Sequence, residues 1–282
     1  MKGGEMLGRR LFAVLLAVLA VALWPAAGVG GEAPPVAYVT LKYDLMRQGL
    51  DRDLIARTFS DPRNSFLPEV VRKIAYLRKE SPEIYQKFLR PEVAARGRGY
   101  LRDHRAILTR AADRFDTAPE VIVAILTVES GLGNITGSYP VFNVFASLAV
   151  MDTPEVVQEV GLDPGLRERL KKKAAWARRE LQVFLDYCAS RHLDPFAFNG
   201  SWAGAMGFCQ FLPSSLKNCG VDGDGDGRVD LFTHADAIFS IACYLHKSGF
   251  NRGNRASWRR AVYSYNHSDA YVDAVLTLAN WY

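Results

Sequence analysis

Beyond residue 35 apolar side chains recur at three- and four-residue intervals, and stretches with the two-residue alternation of a strand are few. This period predicts helices near 51–58, 67–79, 82–90, 98–115, 118–130, 165–191, 235–248, 256–264 and 268–280, and therefore a mainly α fold. Asp61-Pro62, Ser81-Pro82 and Arg90-Pro91 punctuate the early helices, because proline lacks a backbone donor and pushes the residue before it out of the helical region. The stretch 197–230 breaks the pattern. It is rich in glycine and aromatics, as expected where a backbone comes close to a ligand. No internal repeat is visible.

The run from Val121 to Val128 is apolar on all sides, which predicts a buried helix. Pro119 suits its first turn and Gly131 the position just past its end. Glu129 then sits at a buried helix C-terminus beside Ile125, Leu126 and Val128. Desolvation and the negative end of the helix dipole both oppose its charge, so its pKa is expected to rise. A carboxylic acid kept protonated near neutrality can hand a proton to a leaving oxygen, as glycosidic cleavage requires. The competing reading is a buried glutamate satisfied by a structural partner.

Residues 1–31 form a separate unit. Arg9 and Arg10 precede an unbroken apolar run from Leu11 to Trp24, then Pro25 and a string of small residues. That pattern reads as a secretory signal peptide, with an uncleaved membrane anchor as the alternative. No cysteine closely follows the run, so a lipid attachment is not expected. The expected organisation is signal or anchor at 1–31, a spacer at 32–40 around Pro34-Pro35, and one catalytic domain at 41–282, exported to the periplasm or cell envelope.

Charge refines the partner classes. The chain carries +5, and without residues 1–31 it keeps 32 basic against 29 acidic side chains, or +3. This mild excess excludes the dense basic footprint of a nucleic-acid binder but suits a polyanionic envelope. The basic run 167–179 reads mostly as a solvated helix face. Cys188, Cys209, Cys219 and Cys243 could form one or two disulfides in an oxidising compartment, with the pairing open. Cys188 with His192 and Cys243 with His246 could alternatively build a zinc site.

Three segments carry a family resemblance. They are Val128-Glu129-Ser130-Gly131; Ala203-Gly204-Ala205-Met206-Gly207, followed by Gln210-Phe211-Leu212-Pro213-Ser214-Ser215; and Tyr265-Asn266-His267-Ser268. In this order they closely resemble the lytic murein transglycosylase B family, a branch of the lysozyme-like superfamily, from about Leu41 to Ala279. The resemblance implies a lysozyme-like helical catalytic domain with additional helices, acting as a monomer on peptidoglycan. It implies that Glu129 serves as both acid and base, cleaving the bond from N-acetylmuramic acid to N-acetylglucosamine without water and leaving 1,6-anhydromuramic ends. It further places Ser201, Met206, Gln210, Tyr244, Tyr265 and Asn266 along the sugar site. Trp202, Phe208 and Phe211 read as core at their spacing. Where the family commonly has an arginine pair, this chain offers Lys172 and Lys173, and 152–165 is longer than usual.

Asp222-Gly223-Asp224-Gly225-Asp226-Gly227-Arg228-Val229-Asp230 follows the first nine places of an EF-hand loop. Carboxylates stand at places 1, 3 and 5, a glycine at 6, and the Arg228 carbonyl at 7. Place 12 is Thr233, which cannot supply a bidentate carboxylate. The resemblance implies a lengthened loop closed by Asp236, so that 222–236 would hold a structural Ca²⁺. Two other functions compete: a water-using muramidase, with Asp152 or Asp269 as the second carboxylate, and a non-catalytic, calcium-stabilised wall-binding module.

Overall fold

The computed structural model describes residues 31–282; the signal or anchor reading of the N-terminus lies outside the described residues. α1 (Ala37–Arg47), α2 (Arg52–Ser60) and α3 (Pro68–Ala75) lead to a 3₁₀ segment, Pro82–Phe88, and then to α4 (Pro91–Asp103), α5 (Arg105–Phe115) and α6 (Pro119–Ser130). α7 (Val141–Ala149), α8 (Pro154–Val160) and α9 (Arg167–Ser190) form a second group. α10 (Pro213–Cys219) and α11 (His234–Lys247) flank the acidic loop, and α12 (Arg255–Tyr265) and α13 (Asp269–Trp281) complete the chain. Two short strands, β1 (Tyr139–Pro140) and β2 (Asn199–Gly200), pair antiparallel with Tyr139 opposite Gly200.

The mainly α expectation holds, with informative departures. The span 98–115 is two helices: Pro91 occupies the first turn of α4, where its missing N–H costs nothing, so Arg90-Pro91 opens a helix. His104 breaks the helix, its backbone at φ −107° and ψ 18° and its ring stacked on Tyr100 at 3.9 Å. α7 was not predicted because all nine of its residues are buried, which erases the amphipathic period.

The 32–40 stretch is not a free spacer. α1 starts inside it, because the Val36 and Ala37 N–H groups donate to the Glu155 carboxylate at 2.8 and 3.0 Å. Tyr38 is buried, edge-on to Phe66 and hydrogen-bonded to Ser147 Oγ at 3.1 Å.

α6 is the central helix, with every residue from Val121 to Ser130 buried. α4, α5, α11 and α13 pack around it, and α7 packs along α9. Each buried Val, Ile or Leu contributes about 1.5–3 kcal/mol, so this apolar helix is a rigid mount for the residue at its end. Glu180 of α9 adds a polar fastening. Its carboxylate accepts the Ser214 N–H at 2.9 Å and hydroxyl at 2.8 Å, tying the start of α10 to α9.

All four cysteines are free and buried. Cys219, at the end of α10, lies against Cys243 of α11. The zinc alternative is not assembled: among the described residues, the group that converges as metal ligands is Asp222, Asp224 and Asp226.

Candidate active site

Glu129 occupies the last turn of α6, which stops where Gly131 takes a left-handed conformation (φ 58°). Its side chain is 9% exposed, and Tyr271 of α13 donates its hydroxyl to Oε1 at 2.7 Å. Burial pushes the carboxyl up to about 8, against the opposing effect of the Tyr271 hydrogen bond, and the Glu80 charge pushes it the same way. Near neutral pH the group is therefore an acid, as its setting on an apolar helix implied. Oε1 accepts from Tyr271, so Oε2 is the oxygen left to carry a proton.

Ser130 joins this helix end to the glycine-rich segment. Its hydroxyl donates to the Phe208 carbonyl at 2.7 Å and accepts the Gly133 N–H at 2.9 Å. Phe208, half-buried, lies over Gly133, where a Cβ would come within 3.0 Å of the ring. The segment then folds tightly on itself, with bridges from Gly200 to Met206 and from Met206 to Phe211. Gly207 is required here: at φ 70°, a Cβ would stand 2.5 Å from the Leu231 carbonyl oxygen.

The sequence-predicted sugar residues fall into two groups. Met206 is buried within the fold of this segment. The Ser201 hydroxyl accepts the Ala203 and Ala205 N–H groups at 3.3 and 3.1 Å, which is a turn-stabilising role. Gln210, held at φ 49°, donates its amide to the Thr136 and Gly207 carbonyls at 3.1 and 2.9 Å and leaves its side-chain oxygen available.

Tyr244 and Tyr265 form an aromatic wall, their rings edge-on at 4.9 Å. Their hydroxyls donate to the Ser264 and Cys209 carbonyls at 2.7 and 2.6 Å. Tyr265 also lies parallel to Tyr271 at 6.5 Å, which links this wall to Glu129. Asn266 is 2% exposed, and among the described residues neither its amide nitrogen nor its oxygen has a hydrogen-bond partner. A buried amide costs about 1–3 kcal/mol when unpaired, a cost expected where a ligand completes the bonding.

Other residues stand elsewhere or emerge only in the structure. Asp152 pairs with Arg178, and Asp269 with Arg259 at 3.0 Å, so each has its own cationic partner. Lys172 is exposed, while Lys173 packs its ammonium 6.0 Å over the Trp176 ring. Phe211, read as core, is buried but also packs against both Tyr244 and Tyr265. Tyr271, Tyr85 and Glu80 were missed. The helical pattern around Tyr271 marks it as buried, but nothing local says that its hydroxyl meets a residue 142 positions away.

The acidic loop presents Asp222, Asp224 and Asp226 with ligand oxygens all within 4.8 Å of one another. Gly225 and Gly227, at φ 85° and 88°, turn the backbone so that their N–H groups donate to Asp222 at 2.6 and 2.9 Å. These bonds, that of Gly227 foremost, hold the Asp222 carboxyl below its usual range. Three hard oxygen donors in one turn fit a cation such as Ca²⁺. Asp236 is not part of that group: both its oxygens accept backbone N–H groups, from Gly223 at 2.8 Å and Asp230 at 2.6 Å. It closes the loop from the inside, on a side chain 1% exposed.

Residues 36–262 match the transglycosylase SLT domain family. The chain belongs to this family. It is 30% identical over 172 residues to the membrane-bound lytic murein transglycosylase B of Escherichia coli K12, an alignment covering 61% of this chain and 43% of that protein. The match thus spans less than half the length of that relative. In three dimensions the fold resembles the Escherichia coli lytic transglycosylase SLT35, solved with bulgecin A and with calcium, at a TM-score of 0.73 and 22% identity, covering 92% of this chain and 98% of that one. It also resembles SltB3 of Pseudomonas aeruginosa, solved with NAG-anhNAM-pentapeptide, at a TM-score of 0.71 and 22% identity, covering 86% of this chain and 77% of that one.

Proposed function

We propose that this protein is an exported lytic transglycosylase of peptidoglycan, working as a monomer in the periplasm or cell envelope. Its membership of the transglycosylase SLT family supports the reaction class, and its likeness to a murein transglycosylase supports the substrate. The observation that carries the reading is Glu129, a buried carboxyl at the end of an apolar helix, protonated up to about pH 8.

Glu129 passes its Oε2 proton to the oxygen joining N-acetylmuramic acid to N-acetylglucosamine. The bond from the muramic anomeric carbon to that oxygen breaks, and the oxygen leaves as a neutral hydroxyl. Glu129, now a carboxylate stabilised by the Tyr271 hydroxyl, accepts the proton of the muramic 6-hydroxyl as that oxygen attacks the anomeric carbon. The carboxyl ends protonated, and no water is consumed. One glutamate therefore serves both steps.

The neighbouring residues hold the glycan. Gln210 offers its side-chain oxygen and Asn266 its unpaired amide to the N-acetyl and hydroxyl groups, while Tyr244 and Tyr265 supply an apolar face to a sugar ring. Ser201 and Met206 shape the segment that presents Gln210. Asp222, Asp224, Asp226 and the Arg228 carbonyl would hold Ca²⁺, with Asp236 bracing the loop, and the ion would keep α10 and α11 in register.

The test is mass spectrometry of sacculi digested by the purified protein. The expected products carry anhydromuramic ends, one water lighter than hydrolytic products, and Glu129→Gln yields none. Reducing ends would identify a muramidase, and unchanged cleavage by Glu129→Gln would reject this residue as the acid.

A further inference from the structure

Glu80 lies between α3 and the 3₁₀ segment, in a stretch with no chemical signature in the sequence. It is nevertheless buried, with 9% of its surface exposed. Tyr85 donates its hydroxyl to Glu80 Oε2 at 2.5 Å. The Tyr85 ring, 1% exposed, packs edge-on against Tyr271 at 5.9 Å, and the Tyr271 hydroxyl is the one bonded to Glu129. Two carboxyl groups thus stand behind the same pair of packed tyrosines, each holding one tyrosine hydroxyl.

We propose that Glu80 is a positioning residue of the glycan-cleaving site, a second carboxylate that never touches the sugar but holds the proton on Glu129. The proposal rests on the reading of Glu129 as the acid. Its physics is like-charge repulsion in a poorly solvated space: with Glu80 negative, a second negative charge at Glu129 is disfavoured, so Glu129 stays protonated. Tyr85 supplies the Glu80 carboxylate with a hydroxyl donor at Oε2.

The groups facing Glu129 are consistent with this division. α13 contributes Tyr271, the segment preceding α10 contributes the Cys209 thiol, α12 contributes Tyr265, and the 3₁₀ segment contributes Tyr85. All four are neutral near pH 7, and burial pushes each of them further from ionising. Among the described residues, Glu80 is the carboxylate whose charge acts on Glu129.

The experiment compares the pH dependence of kcat/KM for glycan cleavage in the wild type, Glu80→Gln and Glu80→Asp, with folding checked by circular dichroism. Glu80→Gln keeps an acceptor for Tyr85 but no charge. Its alkaline limb is expected to move down by about one pH unit, with about tenfold lower kcat/KM above that limb and near-normal activity in acid. Glu80→Asp, which keeps the charge, is expected to restore the limb. A Glu80→Gln profile with the wild-type limb, whatever its height, would overturn the proposal.

A ¹³C titration of the Glu129 carboxyl gives a readout independent of activity. The Glu129 transition is expected at lower pH in Glu80→Gln than in the wild type, and Glu80→Asp is expected to return it towards the wild-type position. A Glu129 transition that stays at the wild-type position in Glu80→Gln would overturn the coupling. A wild type without glycan cleavage would instead count against the function proposed for Glu129, and the titration would still decide the coupling.

Discussion

Replacing Glu129 by glutamine is expected to change the pH dependence of stability in a direction that surface acids do not produce. The folded protein holds the Glu129 proton up to about pH 8, whereas an unfolded chain releases it near the ordinary 4.5. Between those values the native state binds one more proton than the unfolded state, so stability falls as pH rises. The contribution is fully present below the unfolded value and gone above the folded one. Each tenfold change in proton activity is worth about 1.4 kcal/mol, which sets a ceiling of ~5 kcal/mol over the whole window. From about pH 5 to about pH 8.5 the wild type is expected to lose about 4 kcal/mol relative to Glu129→Gln. Glutamine keeps the acceptor that Tyr271 needs and does not titrate, so the other ionisable groups largely cancel in the comparison. Urea unfolding followed by circular dichroism at several pH values measures the difference. A constant difference between the two proteins across this range would refute the buried-acid argument.

Three further outcomes follow from the same geometry. Tyr271→Phe removes the bond that stabilises the Glu129 carboxylate, so the alkaline limb of kcat/KM is expected to move up by about one pH unit, opposite to Glu80→Gln; a limb that moves down would contradict the assigned role. Asn266→Ala discards two unpaired buried polar atoms and is expected to leave Tm unchanged or raise it while weakening glycan affinity, read as a higher KM. A lower Tm with KM intact would make Asn266 structural. Asp226→Asn is expected to abolish the Tm increase that Ca²⁺ gives the wild type, with calorimetry reporting weaker Ca²⁺ binding; an undiminished increase would place the ion elsewhere.

The sequence made the parts of the molecule with a local cause legible. The uniformly apolar run of α6, Pro119 at its start and Gly131 at its end locate Glu129 and account for its burial. The alternating aspartates and glycines of 222–227 describe one turn of chain, and the structure brings those carboxylates together. What escaped depends on distant chain segments. α7 has no polar face to reveal it, and α1 is anchored by Glu155, more than a hundred residues away. Glu80, Tyr85 and Tyr271 acquire their relation to Glu129 only when the 3₁₀ segment and α13 pack against α6. Asp236 shows the converse: its spacing suits a metal ligand, but the fold gives both its oxygens to backbone N–H groups.

The central claim concerns the protonation state of one carboxyl, and the ionisation of Glu129 can be followed directly by ¹³C NMR of glutamate-labelled protein, with Glu129→Gln identifying its signal. The account requires the main transition near pH 8. A transition near the ordinary 4.5 in the folded protein would contradict it.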